Sequence, residues 1–354
     1  MHAAFSGFYR PLRLQLPLVL SFFRSNQFFI AFLLALYVIL VHSGALLGYV
    51  QPVGTSTEGG LLYHALFGWT AGQPFFAAAM ATLLVFVQAV SVNALADECR
   101  LMGERNWFPG LFYALTVSAL PEFLFVSAPL AALTFVPFSL WRIFNAYQKP
   151  NMTAAIFDGA LWIAVASLFF PPVLFLSVAA FAGFGVVRVF RLNERFVFLI
   201  GTVVPLFLAW LWYFWLNKGG EFRDIQWGNL IQWCRFGIVW ELETFLKIGL
   251  LVLFGFGFLI GIGSQFGRKG NQTQKFVGAM YWFLAIGGLI IFFRKEWRWE
   301  NLLLPSVVIG ILLALTFQNF RNKLWAEVWH LIFLIAVFFV QFSDYLLPIF
   351  SFQF

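Results

Sequence analysis

The segment of this sequence with the most potential for chemistry alternates basic and aromatic residues. It reads Arg294-Lys295-Glu296-Trp297-Arg298-Trp299-Glu300. Guanidinium and ammonium groups are the usual partners of phosphate, and tryptophan favours the depth of lipid headgroups. The segment therefore predicts a lipid-phosphate site made of Arg294, Lys295, Trp297, Arg298 and Trp299. Interfacial anchoring, with local Arg/Glu pairs, is the alternative interpretation of the same residues.

Two carboxylates are weaker candidates for catalysis. Glu122 follows Pro121 at a predicted turn. There it could face a cavity and hold a cation or act as a base, or it could cap the N-terminus of a helix. Glu58 is the only acid in the stretch 51–73, which is rich in glycine. Glu241 and Glu243 are two positions apart, so they point to different faces of a helix and do not form an obvious carboxylate pair.

Asp158 is a charged residue inside an apolar run, Ile156-Phe157-Asp158-Gly159-Ala160-Leu161-Trp162. A charged side chain inside a membrane costs several kcal/mol, so it needs a partner. We expect Asp158 to cap its helix or to pair with a loop arginine such as Arg142. The predicted role is structural, and a functional site is the alternative.

The histidines do not predict a metal site. His2, His42, His64 and His330 are scattered without the spacing of zinc or iron ligands. His330 and Glu327 are three positions apart and could form a local pair on one helix. The sequence also has no phosphate-binding glycine loop, nucleophile elbow, His-Glu-x-x-His or Cys-x-x-Cys motif. No cofactor or metal is predicted.

The composition places these residues in a membrane protein. Hydrophobic residues make up 62% of the 354 residues and charged residues only 10%, whereas about a quarter of an average soluble domain is charged. Apolar runs of about twenty residues recur, and each is long enough to cross a hydrocarbon core as a helix. The alternation expected of a transmembrane barrel is absent, so the predicted fold class is all-α, a polytopic transmembrane helical bundle.

We predict about eleven spans, within a range of about ten to twelve. They are placed at 28–50, 74–96, 107–120, 121–144, 153–170, 172–190, 196–216, 244–266, 276–293, 302–319 and 325–347. Pro121, Pro129 and Pro137 indicate that the third and fourth spans form a bent, tightly turned pair. The chain then divides into a terminal segment 1–27, an N-terminal module 28–216, an outer segment 217–243 and a C-terminal module 244–354.

The distribution of Lys and Arg predicts the orientation. With the N-terminus in the cytoplasm, 15 of the 22 basic residues lie on the inner side, as the positive-inside rule requires. The C-terminus is then outside, and Cys99 and Cys234 lie on opposite faces and should not pair. Because the positive residues are spread through short loops, the net charge of +7 indicates topology and not a nucleic-acid partner.

The outer segment 217–243 has its own pattern. Apolar residues recur at helical spacing, and Arg223, Asp224 and Arg235 are among the polar positions of the segment; the apolar positions are Trp227, Leu230, Ile231, Cys234 and Ile238. This pattern is typical of an amphipathic helix on a membrane surface. We expect Trp227, Trp233 and Trp240 to anchor it in the outer leaflet.

Several segments resemble a family of uncharacterised inner-membrane proteins of Bacteroidota. The matching segments are Ser21-Phe22-Phe23-Arg24, Leu120-Pro121-Glu122 and Ile156-Phe157-Asp158-Gly159-Ala160-Leu161-Trp162-Ile163-Ala164-Val165-Ala166-Ser167-Leu168-Phe169. The resemblance covers residues 20–215 and is most specific around Asp158. It implies a multi-pass protein of the bacterial inner (cytoplasmic) membrane.

The layout also resembles, more weakly, the GT-C-like membrane glycosyltransferases that use polyprenyl-phosphate sugars. Those proteins have a long outer loop after the first span and a closely coupled pair of short spans after it. In them an acidic residue normally follows the first span and serves as catalytic base or metal ligand. The corresponding stretch here, Gly48-Tyr49-Val50-Gln51-Pro52, has no acid, and Glu58 comes later.

Three functions follow from these observations. The main prediction is a non-catalytic or accessory subunit of a bacterial cell-envelope complex, for secretion or surface assembly, on a glycosyltransferase-like scaffold. The shortage of ionisable groups in the spans favours it. Its expected partners are other envelope proteins and membrane lipids, including polyprenyl phosphate or a lipid-linked glycan. The alternative is a glycosyltransferase that acts on a lipid-linked sugar at the outer face with Glu58 or Glu122, and a transporter is third.

Overall fold

The computed structural model describes most of the chain. The described residues are 19–25, 27, 29–52, 59–149, 152–228, 230, 237, 240–266, 270–293 and 297–343. Within these ranges the protein is helical and contains no strand. The all-α prediction is therefore confirmed.

The helices follow the predicted apolar runs along the chain. The first eight are α1 (Val19–Phe23), α2 (Phe29–Val41), α3 (Ser43–Leu46), α4 (Leu61–Phe67), α5 (Pro74–Glu98), α6 (Phe108–Val117), α7 (Ala128–Leu133) and α8 (Val136–Asn145). The next eight are α9 (Thr153–Phe169), α10 (Leu176–Val187), α11 (Leu192–Trp215), α12 (Gly219–Phe222), α13 (Leu242–Phe266), α14 (Asn271–Ile290), α15 (Ser306–Gln318) and α16 (Lys323–Gln341). Short 3-10 helices lie at Gly68–Thr70, Pro121–Leu124, Pro171–Phe175, Ile291–Phe293 and Trp299–Leu303, and a π-helical turn at Arg223–Trp227.

Several helices have the length and composition of membrane spans. Among the described residues, four are both long and apolar enough: Pro74–Glu98, Leu192–Trp215, Leu242–Gly261 and Lys323–Gln341. Shorter apolar helices accompany them at Phe29–Val41, Phe108–Val117, Thr153–Phe169, Pro171–Val187 and Ser306–Gln318. The chain is therefore a multi-pass membrane protein, while the number of eleven spans and the orientation stay predictions.

The surface of the bundle is apolar where lipid would lie. On α11, large side chains such as Leu199, Val203, Phe207 and Trp212 are exposed. Apolar surface in contact with water costs about 25 cal/mol per Å², whereas lipid tails are as apolar as these side chains. The exposed face of α11 therefore fits a hydrocarbon environment.

The segment that follows α6 is broken where the prolines stand. Pro121 begins a 3-10 helix, and Pro129 and Pro137 lie in the first turns of α7 and α8. Proline lacks the amide hydrogen that a helix interior needs and is tolerated at the first turn, so the chain restarts a helix after each break. The predicted bend is observed, and α6 and α7 are almost completely buried.

Two central helices, α6 and α15, approach each other closely at Gly310. A Cβ atom added to Gly310 on α15 would lie 2.7 Å from the Cα atom of Tyr113 on α6. The Tyr113 hydroxyl donates a 2.7 Å hydrogen bond to Gln88 Oε1 on α5, and Gln88 Nε2 donates to the carbonyl of Leu130 on α7 at 2.8 Å. The buried polar side chains thus tie α5, α6 and α7 together.

The connections between helices collect at two ends of the bundle, which we name after one residue each. At the Glu122 end, the amide of Gly60 donates to the carbonyl of Phe169 at 2.7 Å, and Gln341 Nε2 donates to the carbonyl of Ser118 at 2.8 Å. At the Arg142 end, the amide of Trp107 donates to the carbonyl of Phe23 at 2.8 Å. The described parts of the segments 51–73, 217–243 and 294–300, which are predicted to be outside, contact the bundle at the Glu122 end through Gly60, Gln226 and Glu300.

The structure corrects the prediction of a loop over residues 51–73. Residues Leu61–Phe67 form α4, which packs on the bundle through buried Tyr63 and Phe67. The Tyr63 hydroxyl also donates to the carbonyl of Val126 at 3.2 Å. The apolar run of α4 is too short to be a span, and its glycine-rich surroundings favoured a loop. Glu58 lies outside the described residues.

The predicted amphipathic helix over 217–243 is described only in part. Its first residues form α12 and the π-helical turn, where Gln226 is buried and donates a 3.0 Å hydrogen bond to the carbonyl of Ser167. This contact attaches the turn to the bundle. Trp227 and Trp240 are exposed, as the anchoring prediction requires, while Trp233 and Cys234 are outside the described residues.

Candidate functional site

A cluster of three charged side chains lies at the Glu122 end. Lys247 on α13 forms ion pairs with Glu122, in the Pro121–Leu124 turn, and with Glu243, one turn earlier on α13. The side chains of Lys247 and Glu122 are only 6% and 7% exposed, whereas that of Glu243 is 36% exposed. We call Glu122, Lys247 and Glu243 the carboxylate–lysine cluster. With all three groups ionised, its net charge is negative.

Local structure explains how the cluster forms. Leu120 is extended, and Pro121 starts a 3-10 turn that places Glu122 at the junction of α6 and α7. Glu243 and Lys247 are four residues apart, so they lie on the same face of α13. The helix-capping alternative for Glu122 is wrong, because the 3-10 helix has no side-chain cap and the carboxylate pairs with Lys247 instead.

The aromatic part of the predicted lipid-phosphate segment lies beside this cluster. The Trp299 ring centroid is 5.8 Å from Lys247 Nζ, within cation–π range. Trp297 packs edge-to-face against Trp299, with ring centroids 5.7 Å apart. Arg298, between them, is partly exposed. Arg294 and Lys295 fall outside the described residues, so their predicted role stays a prediction.

Glu122 lines a cavity of about 250 Å³ at the same end. Besides Glu122, the polar side chains in its described walls come from Tyr63, His64, Thr70, Gln73, Ser127 and Glu300. Among the lining residues that the structure describes, the glutamates are the only residues with full charges, so the cavity is acidic. Glu122 Oε2 is buried and accepts no hydrogen bond from any described residue. A ligand rich in hydrogen-bond donors would complement these walls.

A second, mainly apolar cavity of about 160 Å³ lies next to the cluster. Its walls include Phe123, which follows Glu122, and Leu251, one turn beyond Lys247 on α13. Leu302, from the Trp299–Leu303 helix, also lines it. The turn and helices that carry the charged groups therefore also carry apolar side chains that line this second cavity.

Asp158 is at the opposite end of the bundle. Its carboxylate lies 2.9 Å from the Arg142 guanidinium, and both side chains are about one third exposed. The predicted pairing with Arg142 is therefore observed. The Arg142 guanidinium also lies over the Trp141 ring, 4.7 Å from its centroid. These contacts fit the structural role predicted for Asp158.

The suggested pair between Glu327 and His330 does not form. Glu327 accepts a 3.0 Å hydrogen bond from the amide of Leu20, and His330 Nε2 contacts the Tyr37 hydroxyl at 3.2 Å. Neighbouring elements α1 and α2 offer these partners, which helical spacing alone does not reveal. In the described ranges, no three His, Cys, Asp or Glu side chains meet closely enough to hold a metal ion.

Lys247 is the residue of this site that sequence reasoning missed. It is an ionisable side chain within an apolar helix, four residues after Glu243. A charge inside a span is by default a candidate for a functional role, so this spacing was an available signal. Its pairing with Glu122, which is 125 positions away in the chain, is not predicted by any local sequence pattern.

Comparisons with known proteins find little. No protein-family model matches the chain, and no curated protein matches it either. The resemblance to inner-membrane proteins of Bacteroidota and the prediction of an envelope-complex subunit thus gain no support. Among solved structures, the chain is similar to ArnT from Cupriavidus metallidurans bound to undecaprenyl phosphate, with 14% identity and a TM-score of 0.47. The match covers 84% of this chain and 60% of that one, and a similarity this weak does not establish a shared fold.

Proposed function

We propose that this chain is a membrane glycosyltransferase that takes a sugar from a lipid phosphate at the Glu122 end. One observation carries the proposal. Two groups that the sequence suggested separately come together here: Lys247 pairs with Glu122 and lies over Trp299, and Glu300, next to Trp299, lines the same cavity as Glu122. A subunit with only docking surfaces has no need for buried charges at a cavity, and such charges are costly to keep.

The walls of the cavity suit a sugar. Carboxylates accept hydrogen bonds only, and Glu122 and Glu300 both line the space. A sugar offers several hydroxyl donors at once, and aromatic walls such as Tyr63 and Phe67 can cover its apolar face. Because the cavity is acidic, we place the sugar there and the phosphate outside it.

The phosphate and the polyprenyl chain of the proposed donor suit the elements beside the acidic cavity. We place the phosphate on the segment Arg294-Lys295-Glu296-Trp297-Arg298-Trp299, where cationic groups and interfacial tryptophans are combined. The apolar cavity between α13 and α15 lies beside the cluster and matches the first units of a polyprenyl chain. The proposed ligand is thus a polyprenyl-phosphate sugar, with its headgroup at the Glu122 end.

The proposed reaction uses Glu122 as a general base. An acceptor hydroxyl attacks the anomeric carbon, its proton passes to Glu122, and the bond between the sugar and the phosphate oxygen breaks. The phosphate leaves with the electron pair, and Arg298 with its basic neighbours stabilises the charge that develops there. Lys247 holds Oε1 of Glu122, so Oε2, which accepts no hydrogen bond from the described residues, is the oxygen that takes the proton.

Reconstitution of the purified chain in lipid nanodiscs tests this function. We expect polyprenyl phosphate to bind, measured by native mass spectrometry, and a labelled sugar on polyprenyl phosphate to be transferred. Glu122→Gln should lower transfer at least about a hundredfold and leave lipid binding intact. Replacing Arg294 and Arg298 together by glutamine should abolish lipid-phosphate binding. The matched control is Glu221→Gln, an exposed glutamate whose partner is Lys218.

The outcomes separate the functions. Unchanged lipid binding in the double arginine variant would remove the phosphate site. In a second test, membrane extracts are supplied as acceptors. If the wild-type chain then binds the lipid but transfers no sugar, the glycosyltransferase proposal is overturned and the accessory-subunit function is favoured. Full transfer by Glu122→Gln would exclude Glu122 as the base.

A further inference from the structure

We infer that Glu243 is a second counter-ion for Lys247, which allows Glu122 to accept a proton without leaving a buried positive charge uncompensated. The part of this inference that concerns proton transfer rests on the proposed function. The part that concerns charge compensation rests on the structure of the cluster alone.

The positions of the two carboxylates differ in a way that suits different roles. Glu122 is almost fully buried on the Pro121–Leu124 turn and lines the acidic cavity. Glu243 lies on the same helix as Lys247 and is 36% exposed, so water stabilises its charge. Lys247 is within ion-pair distance of both groups at once. Glu243 can therefore keep the lysine paired whatever happens to Glu122.

The charge balance shows why a second carboxylate matters. With both glutamates ionised, the cluster carries one excess negative charge, and protonation of Glu122 makes it neutral. If Glu243 were missing, the same protonation would turn a neutral pair into an unpaired lysine charge that is 6% exposed. An unpaired buried charge is strongly unfavourable. Glu243 thus makes proton uptake by Glu122 feasible.

The two carboxylate oxygens of Glu122 have different roles. Oε1 pairs with Lys247, and Oε2 accepts no hydrogen bond from the described part of the chain. In the proposed transfer, the acceptor O–H bond breaks, its proton binds Oε2, and the oxygen keeps the electron pair for its new bond to the sugar. Lys247 then pairs with Glu243, and Glu122 later returns the proton to water in the cavity. Lys247 and Glu243 act here as positioning residues.

The groups that influence this proton transfer come from three elements. Lys247 and Glu243 face Glu122 from α13, and Glu300 comes from the Trp299–Leu303 helix. Tyr63 and His64 of α4 line the same cavity. Since Glu300 and the α4 residues are unchanged in the variants below, any effect of those variants reports on the carboxylate–lysine cluster.

Unfolding measurements test the charge compensation. The midpoint of thermal unfolding in nanodiscs is compared for Glu122→Gln, Glu243→Gln and the double variant. We expect each single variant to lower the midpoint slightly and the double variant to lower it by far more than the sum, because only the double variant leaves Lys247 unpaired. Adding Lys247→Met to the double variant should restore much of the loss. If Glu122→Gln alone lowers the midpoint as much as the double variant does, Glu243 is no counter-ion and the inference is overturned.

The pH dependence of sugar transfer tests the proton-accepting role. Glu243→Gln removes the carboxylate that balances Lys247 once Glu122 has taken a proton, so the acid-side loss of activity should move to lower pH, while Glu243→Asp should keep the wild-type profile. An unchanged profile in Glu243→Gln overturns the role of Glu243 in proton transfer. Absence of transfer by the wild-type chain would instead count against the proposed function, and the unfolding comparison would still decide the charge compensation.

Discussion

Lys247 and Glu122 are 125 positions apart in the chain, and their side chains form an ion pair that is almost completely buried. The pair joins the turn between α6 and α7 to α13. It therefore links the predicted N-terminal module, 28–216, to the predicted C-terminal module, 244–354. The connection is local to the Glu122 end, where the acidic cavity and the Trp299 ring also lie.

Replacement of Lys247 by methionine should destabilise the protein strongly. The long apolar stem is kept, but Glu122 loses its cation while it stays buried, a change that costs about 3–5 kcal/mol in other proteins. Equilibrium unfolding in mixed detergent micelles would measure the loss. The control is Lys218→Met, which breaks the exposed pair with Glu221 and should cost less than about 1 kcal/mol. Equal losses in the two variants would mean that the buried pair contributes no more to the free energy of unfolding than the exposed pair does.

The sequence predicted the helices of this protein well, because a membrane requires long apolar runs and the chain supplies them. It also predicted the pair between Asp158 and Arg142, which lie near each other in the chain at the junction of α8 and α9. It did not predict the pair between Lys247 and Glu122. Hydropathy shows that a segment crosses the membrane, but it does not show which helices become neighbours.

Two smaller errors have the same origin. The sequence predicts a loop where α4 lies, since the seven residues of this helix are too few for a span and glycines surround it. Helical spacing predicts a partner for His330 on its own helix, whereas the structure places the Tyr37 hydroxyl of α2 3.2 Å from His330 Nε2. In both cases the structure is decided by contacts with elements that are distant in the chain. A local sequence pattern carries no information about such contacts.

Gly310→Ala should weaken the packing of α15 on α6. The added methyl group would lie 2.7 Å from Tyr113 Cα, and backbone cannot move aside as a side chain can. We expect a loss of about 1–3 kcal/mol, the range for overpacked cores. Gly185→Ala on α10 is the matched control, because no heavy atom lies within 4 Å of its added Cβ. Alanine is the better helix former by about 1 kcal/mol, so the control should be neutral or stabilised. Similar unfolding of the two variants would contradict the close approach.

Cys99 should react poorly with alkylating reagents. Burial raises the pKa of the Cys99 thiol from 9.0 to about 12; the neighbouring Glu98 carboxylate adds to the rise and Lys149 opposes it. Only the thiolate reacts, so at pH 8 the reaction should be roughly a thousandfold slower than that of an ordinary cysteine and should accelerate as the pH approaches 12. Mass spectrometry of iodoacetamide adducts in a Cys234→Ser chain would measure this. An engineered cysteine at exposed Glu104 serves as the reference, and equal rates at pH 8 would refute the raised pKa.

The orientation of the bundle can be tested with two further cysteines. Gln51 is exposed and precedes Pro52, which lines the cavity at the Glu122 end, whereas Glu104 is exposed near the Trp107 contact at the Arg142 end. In a chain with Cys99 and Cys234 replaced by serine, Gln51→Cys should react with an impermeant maleimide on intact cells. Glu104→Cys should react only after the cells are opened, because the excess of Lys and Arg predicts that this end faces the cytoplasm. The reverse pattern would put the acidic cavity on the cytoplasmic side. A sugar donor would then have to reach it from within the cell, and the proposed transfer at the outer face would be excluded.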